Sequence, residues 1–269
     1  MHRTIARIRS VIPALVATAL IVASPASAEA QGNAPWDRVD PAQELLDGAT
    51  PRAESIQIDL PSVTQDGSSV PLSIEVDHPM RSDDYIEALY VFATRNPSPE
   101  VVEYHFTPLA GKARISTRVR LNESQTVFAL ARTSRGAWLA GTREIRVTVS
   151  GCIAQGNAEK GPDFMQTRVR AASRARPGEP LDVRTLINHP METGLREDSN
   201  GNAIPERIVH SFRAEINGET VLTARFHRAV SANPYLLFYI APGQSGPLHL
   251  TWEEDTGETA TATAEIPAA

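Results

Sequence analysis

The chain has 269 residues, and its 32 acidic residues outnumber its 26 basic ones. This length allows two domains of ordinary size. The acidic balance argues against a nucleic-acid partner, whose binding footprint is a basic patch. The single cysteine, Cys152, excludes an internal disulfide in the chain.

Residues 1–28 are predicted to be a secretory signal peptide. The basic start "MHRTIARIRS" precedes the apolar "VIPALVATALIVA" and the small residues "SPASA", with cleavage after about Ala28. No second apolar run approaches the roughly 20 residues that span a bilayer. Removing the three arginines of this segment from the 26 basic residues leaves 23 against 32 acidic residues, a net charge of −9. We therefore expect an exported, acidic protein without a membrane span, located in the periplasm if the host is Gram-negative.

The first half of the mature chain reads as one short helix followed by strands. Residues 29–54 contain a single helix candidate, about two turns after Pro41, and residues 55–151 contain seven short runs separated by Pro, Gly or Asn. The clearest run, "ARISTRVRL", alternates strictly, which predicts that Arg114, Arg118 and Arg120 face water while the apolar residues between them face a core. Seven such strands fit an immunoglobulin-like β-sandwich.

A second sandwich is predicted after a linker. Residues 152–162, "CIAQGNAEKGP", are rich in small and polar residues. Residues 163–269 contain seven more strand-like runs, two of them joined at Asn217-Gly218, the preferred sequence of a type I′ hairpin turn. The predicted fold class is therefore all-β, with two immunoglobulin-like β-sandwich domains in tandem that contact each other.

Cys152 follows the end of an alternating strand. If Ile145, Val147 and Val149 are buried, the same alternation places Cys152 on the solvent side. A lone cysteine is a buried small hydrophobe, a partner for another chain, or a working thiol. The small flanking residues would give a thiol access to an enzyme cleft, and the thiolate is its reactive form. The residues thus favour a reactive thiol and leave the buried alternative open.

Three further readings of the residues remain open. Two His-Pro-Met strings suggest copper, although His-Pro at a strand end commonly sets a turn and the methionine commonly fills a core; the candidate ligands are His78, Met80, His105, Met165, His189, Met191 and His227. No nucleophile elbow, metalloprotease helix or phosphate loop points to an enzyme. The arginines of "ARISTRVRL" form a stripe that could dock an acidic partner or an anionic cargo group, or be an ordinary solvated face.

Several longer strings resemble the SoxY and SoxZ families. "LINHPMETGLREDSNGNAIPERIVHSF" and "AVSANPYLLFYIAPGQSGPLHLTWEE" resemble SoxZ, and "VPLSIEVDHPM", "RNPSPEVVEYHFTP", "GKARISTRVRL" and "SQTVFALA" resemble SoxY in the expected order. The resemblance covers about residues 56–258. The chain looks like a SoxYZ-type sulfur carrier made as one polypeptide, similar to the fused carriers associated with quinoprotein dehydrogenases.

The resemblance implies a function and a site. SoxY carries thiosulfate-derived sulfur on a cysteine and presents it to successive periplasmic enzymes, while SoxZ stabilises SoxY and docks partners. By that resemblance Cys152 is the covalent attachment point, the protein is a carrier without a catalytic activity or cofactor of its own, and its partners are periplasmic sulfur-oxidising or quinoprotein dehydrogenase enzymes. In SoxY the cysteine lies in a terminal Gly-Gly-Cys-Gly-Gly arm, whereas here it lies in "SGCIA" and continues into the second half. The alternative function is a structural or docking protein of the same system that lacks carrier chemistry.

Overall fold

The computed structural model describes residues 34–151, 161–174 and 176–268. The predicted signal peptide, Cys152 and most of the predicted linker lie outside the described residues. No helix among the described residues is long and apolar enough to cross a membrane.

A short helical segment precedes the strands. A 3-10 turn at Pro35–Arg38 leads into helix α1, Asp40–Leu46, with Pro41 in its first turn, where the missing N–H costs nothing. The apolar side of this segment, which includes Ala42 and Leu46, packs on a cluster of residues from the strands: Phe92, Phe128, Leu130 and Ala140. The helix therefore covers part of one sheet.

Fifteen strands follow among the described residues. In the first half they are β1 Ile56–Asp59, β2 Val63–Thr64, β3 Val70–Val76, β4 Ile86–Ala93, β5 Glu100–Phe106, β6 Arg114–Val119, β7 Gln125–Thr133 and β8 Trp138–Val147. In the second half they are β9 Thr167–Ala171, β10 Leu181–Ile187, β11 Val209–Ile216, β12 Glu219–Phe226, β13 Tyr235–Ile240, β14 Gly246–Glu254 and β15 Thr259–Ile266. A second 3-10 turn, Pro108–Ala110, follows β5.

The strands form two sheets, and each half of the chain contributes to both. The six-stranded sheet has the order β1-β3-β6-β13-β10-β9, and the nine-stranded sheet has the order β15-β14-β11-β12-β5-β4-β7-β8-β2. The fold is thus all-β, two immunoglobulin-like β-sandwiches in tandem, as the sequence predicts.

The halves join edge to edge in both sheets. Strand β12 pairs antiparallel with β5 over five residue pairs, from Leu222 opposite Phe106 to Phe226 opposite Val102. In the other sheet β13 meets β6, with Leu237 opposite Ser116. One apolar cluster of buried residues includes side chains from both halves, among them Tyr104 and Trp252. The two sandwiches therefore share a continuous core.

The apolar/polar alternation with a period of two located most strands, but it did not predict the side-chain directions beyond the strand ends. All fourteen predicted runs contain a strand. Strand β8 begins at Trp138, before the alternating residues that start at Ile145, and the two-residue β2 has no signal of its own. At the predicted hairpin turn, Asn217 and Gly218 both have positive φ, 52° and 83°, between β11 and β12. This is the type I′ geometry that the sequence predicts.

Two predicted orientations are wrong. Arg120 was expected to face water with Arg114 and Arg118, but it is only 4% exposed. The premise that Val149 is buried, on which the solvent-side position of Cys152 rests, also fails, because Val149 is 59% exposed. In both cases the strand has already ended, at Val119 and at Val147, so the alternation no longer sets the direction of the side chain.

Candidate functional site: the two ends of the cysteine segment

The cysteine segment, as we name residues 152–160, is flanked on both sides by residues that the fold holds in place. Its upstream end is Gly151, a buried residue whose N–H donates to the carbonyl oxygen of Leu121 at 3.0 Å. The N–H of Leu121 donates to the carbonyl oxygen of Gly67 at 2.8 Å, and the N–H of Gly67 donates to that of Val149 at 2.9 Å. Three backbone segments are thus joined directly before Cys152.

Two glycines make this close approach possible. A Cβ on Gly151 would lie 1.9 Å from the carbonyl oxygen of Gly67. A Cβ on Gly67 would lie 2.2 Å from the carbonyl oxygen of Leu121. Since the obstructing atoms belong to the backbone, no side-chain rotation relieves either clash. Glycine is therefore required at residue 151 for packing.

Side-chain hydrogen bonds also hold the segment directly before Cys152. Ser150 Oγ donates to Asn122 Oδ1 at 2.8 Å. The backbone N–H of Asn122 donates to Oδ1 of Asn96 at 3.0 Å, and Gln125 Nε2 donates to the same oxygen at 2.9 Å. Asn96 Nδ2 in turn donates to the carbonyl oxygen of Arg120 at 2.9 Å. Asn96 is buried and uses both ends of its amide, so it holds residues 120–122 in one conformation.

The buried guanidinium of Arg120 connects this anchor to the second half. It donates to the carbonyl oxygens of Met191 at 2.6 Å, Pro190 at 3.1 Å and Val230 at 3.1 Å. The planar guanidinium with its five N–H donors suits such a set of carbonyl acceptors. Arg120 is therefore a link between the halves and not part of a solvated arginine stripe.

The downstream end of the cysteine segment is held differently. Phe164 donates its N–H to the carbonyl oxygen of Gly161 at 3.0 Å, which closes a turn. Its ring centroid lies 5.3 Å from that of His189 and 4.5 Å from Cζ of Arg207. The next residue, Met165, donates its N–H to the carbonyl oxygen of Asn188 at 2.9 Å. This end therefore rests on side chains of the second half.

Phe164 covers a buried charged cluster. His189 Nε2 lies 2.8 Å from Glu254 Oε1, and Arg207 Nε donates to the same oxygen at 2.5 Å. The side chains of His189 and Glu254 are fully buried. Because the N–H of Met191 donates to His189 Nδ1 at 3.0 Å, the ring proton lies on Nε2 and points at Glu254.

The cluster shifts two pKa values. Burial lowers the pKa of His189, because the charged ring would lose its hydration, and the hydrogen bond to Glu254 only partly opposes this. Burial raises the pKa of Glu254, but hydrogen bonds from Arg207, His189 and Thr256 outweigh it and hold the pKa at about 2. At neutral pH the cluster is therefore a neutral histidine beside an ionised Glu254–Arg207 pair.

Four of the candidate copper ligands, His78, His189, Met191 and His227, have other partners in the fold. Both ring nitrogens of His189 are engaged, and Met191 is fully buried with its sulfur 3.3 Å from the N–H of Val209. His78 Nε2 lies 2.9 Å from Asp84 Oδ1, and His227 Nε2 lies 3.0 Å from an oxygen of Glu103. The residues that the structure describes contain no group of three or more His, Cys, Asp or Glu side chains able to hold a metal ion.

The sequence did not point to several residues of these anchors. Arg207 and Glu254 are 47 residues apart and carry no local motif, so only the fold brings them together. Gly67 and Asn96 lie in loops whose composition indicates turns and nothing more. Ser150 and Gly151 stand out in the sequence only as small residues before Cys152.

Two family matches cover most of the chain. Residues 42–152 match the SoxY family, sulfur oxidation protein SoxY, and residues 169–265 match the SoxZ family, sulphur oxidation protein SoxZ. The chain therefore contains a SoxY domain and a SoxZ domain and is a SoxY–SoxZ fusion in one polypeptide. A carrier role in sulfur oxidation follows, and proteins of this type interact with sulfur-oxidation enzymes.

Solved structures show more distant likeness. The sulfur carrier protein SoxY from Chlorobium limicola f. thiosulfatophilum is 24% identical, with 42% of this chain and 97% of that chain covered and a TM-score of 0.35. A superoxide reductase (neelaredoxin) from Ignicoccus hospitalis is 17% identical, with 35% and 80% covered and a TM-score of 0.32. No protein of curated function matches the chain.

Proposed function

We propose that the protein is a periplasmic carrier that holds a sulfur-containing group covalently on Cys152 and presents it to partner enzymes. One observation carries the proposal: the SoxY match ends at residue 152, the only cysteine of the chain. The residue directly before it, Gly151, is fixed in the SoxY half. The only thiol of the chain therefore directly follows a residue that the SoxY half holds in place.

The two anchors support a presenting role. Gly151 belongs to the first half, and Phe164 is held by the second half, so the cysteine segment connects the SoxY part to the SoxZ part. An attachment at both ends restricts where a carried group can be offered and lowers the entropy lost when an enzyme takes it up. Partner enzymes would supply the chemistry.

The loading step has a defined balance if the cargo is thiosulfate. The Cys152 thiol releases a proton, and the thiolate sulfur forms an S–S bond with the sulfane sulfur of thiosulfate. This bond formation removes two electrons, which an oxidising partner enzyme must accept. The family's Gly-Gly-Cys-Gly-Gly arm is replaced by "SGCIA", so the proposed cargo class is thiosulfate or a related thiol-reactive sulfur compound. The proposed partners are periplasmic sulfur-oxidising enzymes or a quinoprotein dehydrogenase system.

Intact-mass spectrometry of the protein purified from its host without reductant tests the proposal. We expect a reductant-labile adduct that contains sulfur, maps to Cys152 and is missing from a Cys152→Ser variant. The Cys152→Ser variant should fold normally and fail to support sulfur oxidation. If that variant keeps full biological activity, the carrier function is wrong and a purely structural or docking role takes its place. The same spectra measure where the precursor is cleaved, which we expect after about Ala28.

A further inference from the structure

The outer face of the six-stranded sheet carries positive charge that the cysteine site does not use. On β6, β10 and β13 the outward residues alternate with buried ones, and on the edge strand β9 exposed residues alternate with half-buried ones. The outward side chains on four adjacent strands are Arg168 and Arg170 on β9, Asp182, Arg184 and Leu186 on β10, Tyr235, Leu237 and Tyr239 on β13, and Arg114, Ser116 and Arg118 on β6. We name this surface the basic face.

The pairing of the strands makes the basic face continuous across the two halves. Arg170 lies opposite Arg184, Arg184 lies opposite Leu237, and Leu237 lies opposite Ser116 of the first half. Directly paired residues of neighbouring strands point to the same side of a sheet. One line of side chains therefore runs from the edge strand β9 into the SoxY half.

A parallel line adds apolar and aromatic contacts. Arg168 lies opposite Leu186, and Leu186 lies opposite Tyr235. Cζ of Arg118, from the first half, lies 5.5 Å from the centre of the Tyr235 ring. Arginine and tyrosine are enriched at the energetically important positions of protein interfaces. The centre of the basic face thus combines half-buried apolar surface with surrounding guanidinium groups.

Part of this charge is not neutralised locally. Arg184 pairs with Asp182 at 3.0 Å, and Arg114 pairs with Glu75 at 3.3 Å. Three exposed arginines of the face take part in none of the ion pairs within the described ranges: Arg118, Arg168 and Arg170. The whole chain has a net charge of −6, so this surplus is a local reversal of the overall sign. Such a reversal steers association with a surface of opposite charge.

We propose that the basic face is a docking surface for an acidic patch on a partner protein. A nucleic acid or an anionic bilayer is an extended negative surface, and it would be repelled by the net negative charge of the chain. An acidic patch on a protein, similar in size to the basic face, only has to complement the charge of that face. Because both halves contribute, the complete surface exists only when SoxY and SoxZ parts are joined. Cys152 is not one of the residues of the basic face, so the proposed contact does not use the thiol.

Binding of a glutamate oligomer to the isotopically labelled full-length protein, followed by NMR, tests this inference. We expect shift changes on β9, β10, β13 and β6 and an affinity that falls as salt is raised. The double variant Arg168→Glu/Arg170→Glu should bind at least about tenfold more weakly. The matched control, Arg143→Glu/Arg213→Glu, places the same charge change at exposed sites on the nine-stranded sheet and should bind within about twofold of the unmodified protein.

The controls separate this inference from the carrier function. The Cys152→Ser protein should bind the oligomer normally, even though the proposed function requires it to fail as a carrier. Equal binding by the two double variants, or shift changes located elsewhere, would overturn the docking surface. The same follows if vesicles containing phosphatidylglycerol bind in a way that needs Arg168 and Arg170 while the oligomer does not bind, because the partner would then be a membrane. Circular dichroism of each variant verifies that it is folded.

Discussion

The two ends of the cysteine segment are held by different kinds of interaction. Upstream, backbone groups of Gly67, Leu121 and Gly151 meet so closely that only glycine fits at two of the three places. Downstream, the ring of Phe164 lies against a buried cluster of His189, Arg207 and Glu254. The upstream end thus depends on the absence of side chains at two glycines. The downstream end depends on a cluster of charged and polar side chains.

The largest expected effect is at the downstream cluster. The Glu254→Ala change removes the carboxylate that both His189 and Arg207 contact. It leaves the buried Nε2–H of His189 without an acceptor, and it leaves the largely buried Arg207 with only the longer ion pair to Glu258 at 3.8 Å. We expect a loss of about 3–5 kcal/mol in the free energy of unfolding, measured in urea. The control is Glu253→Ala, the exposed neighbour, which should cost less than about 0.5 kcal/mol. Equal losses for both would show that the cluster does not hold the downstream end.

The next largest loss of stability is expected on replacing Arg120, the residue that links the two anchors. Arg120→Met keeps a long side chain but removes the donors to Pro190, Met191 and Val230. We expect a loss of about 3 kcal/mol, because several buried carbonyl groups lose a charged donor. The control is Arg118→Met, two residues earlier on the exposed face of β6, which should cost less than about 1 kcal/mol. Denaturant titrations of both variants measure the difference, and a reversed order would refute the structural role of Arg120.

The upstream end predicts an asymmetry between two glycines. Gly151→Ala introduces a Cβ against the backbone of Gly67 and should cost about 1–3 kcal/mol. Gly161→Ala meets nothing within 4 Å and should cost less than about 0.5 kcal/mol. Thermal unfolding measures the stability of both variants, and hydrogen exchange at residues 67 and 151 reports local release. If Gly151→Ala leaves both unchanged, the close approach is not a constraint.

The smallest expected effect is a pH dependence of the downstream end. The unfolded chain protonates His189 near its ordinary pKa, but the buried ring has a lowered pKa, so stability falls as the pH decreases through the ordinary histidine range. Between about pH 7.5 and about pH 5.5, the unmodified protein should lose up to about 1 kcal/mol more than a His189→Gln variant. His78→Gln retains the buried ring and should keep the larger loss. Unfolding curves of the three proteins at the two pH values measure these losses.

The sequence predicted the fold better than it predicted the site. Alternation located the strands because half-buried strands expose every second residue. It failed at Arg120 and Val149, where the chain leaves the sheet and neighbouring segments determine the direction of each side chain. The Asn217-Gly218 turn was predictable because its positive φ values are a local preference. The anchors join residues far apart in the chain, and no local pattern records such contacts.

The sequence by itself determined that the protein is an all-β SoxY–SoxZ fusion with one cysteine, because strand periodicity and family strings are properties of local sequence. Only the tertiary structure decided how the halves join, which glycine before the cysteine is required, and that Arg120 links the halves. It also revealed the basic face, since strands from both halves must pair before their arginines become neighbours. Contacts of this kind depend on the register of strands distant in sequence, and that register is fixed by packing of the shared core.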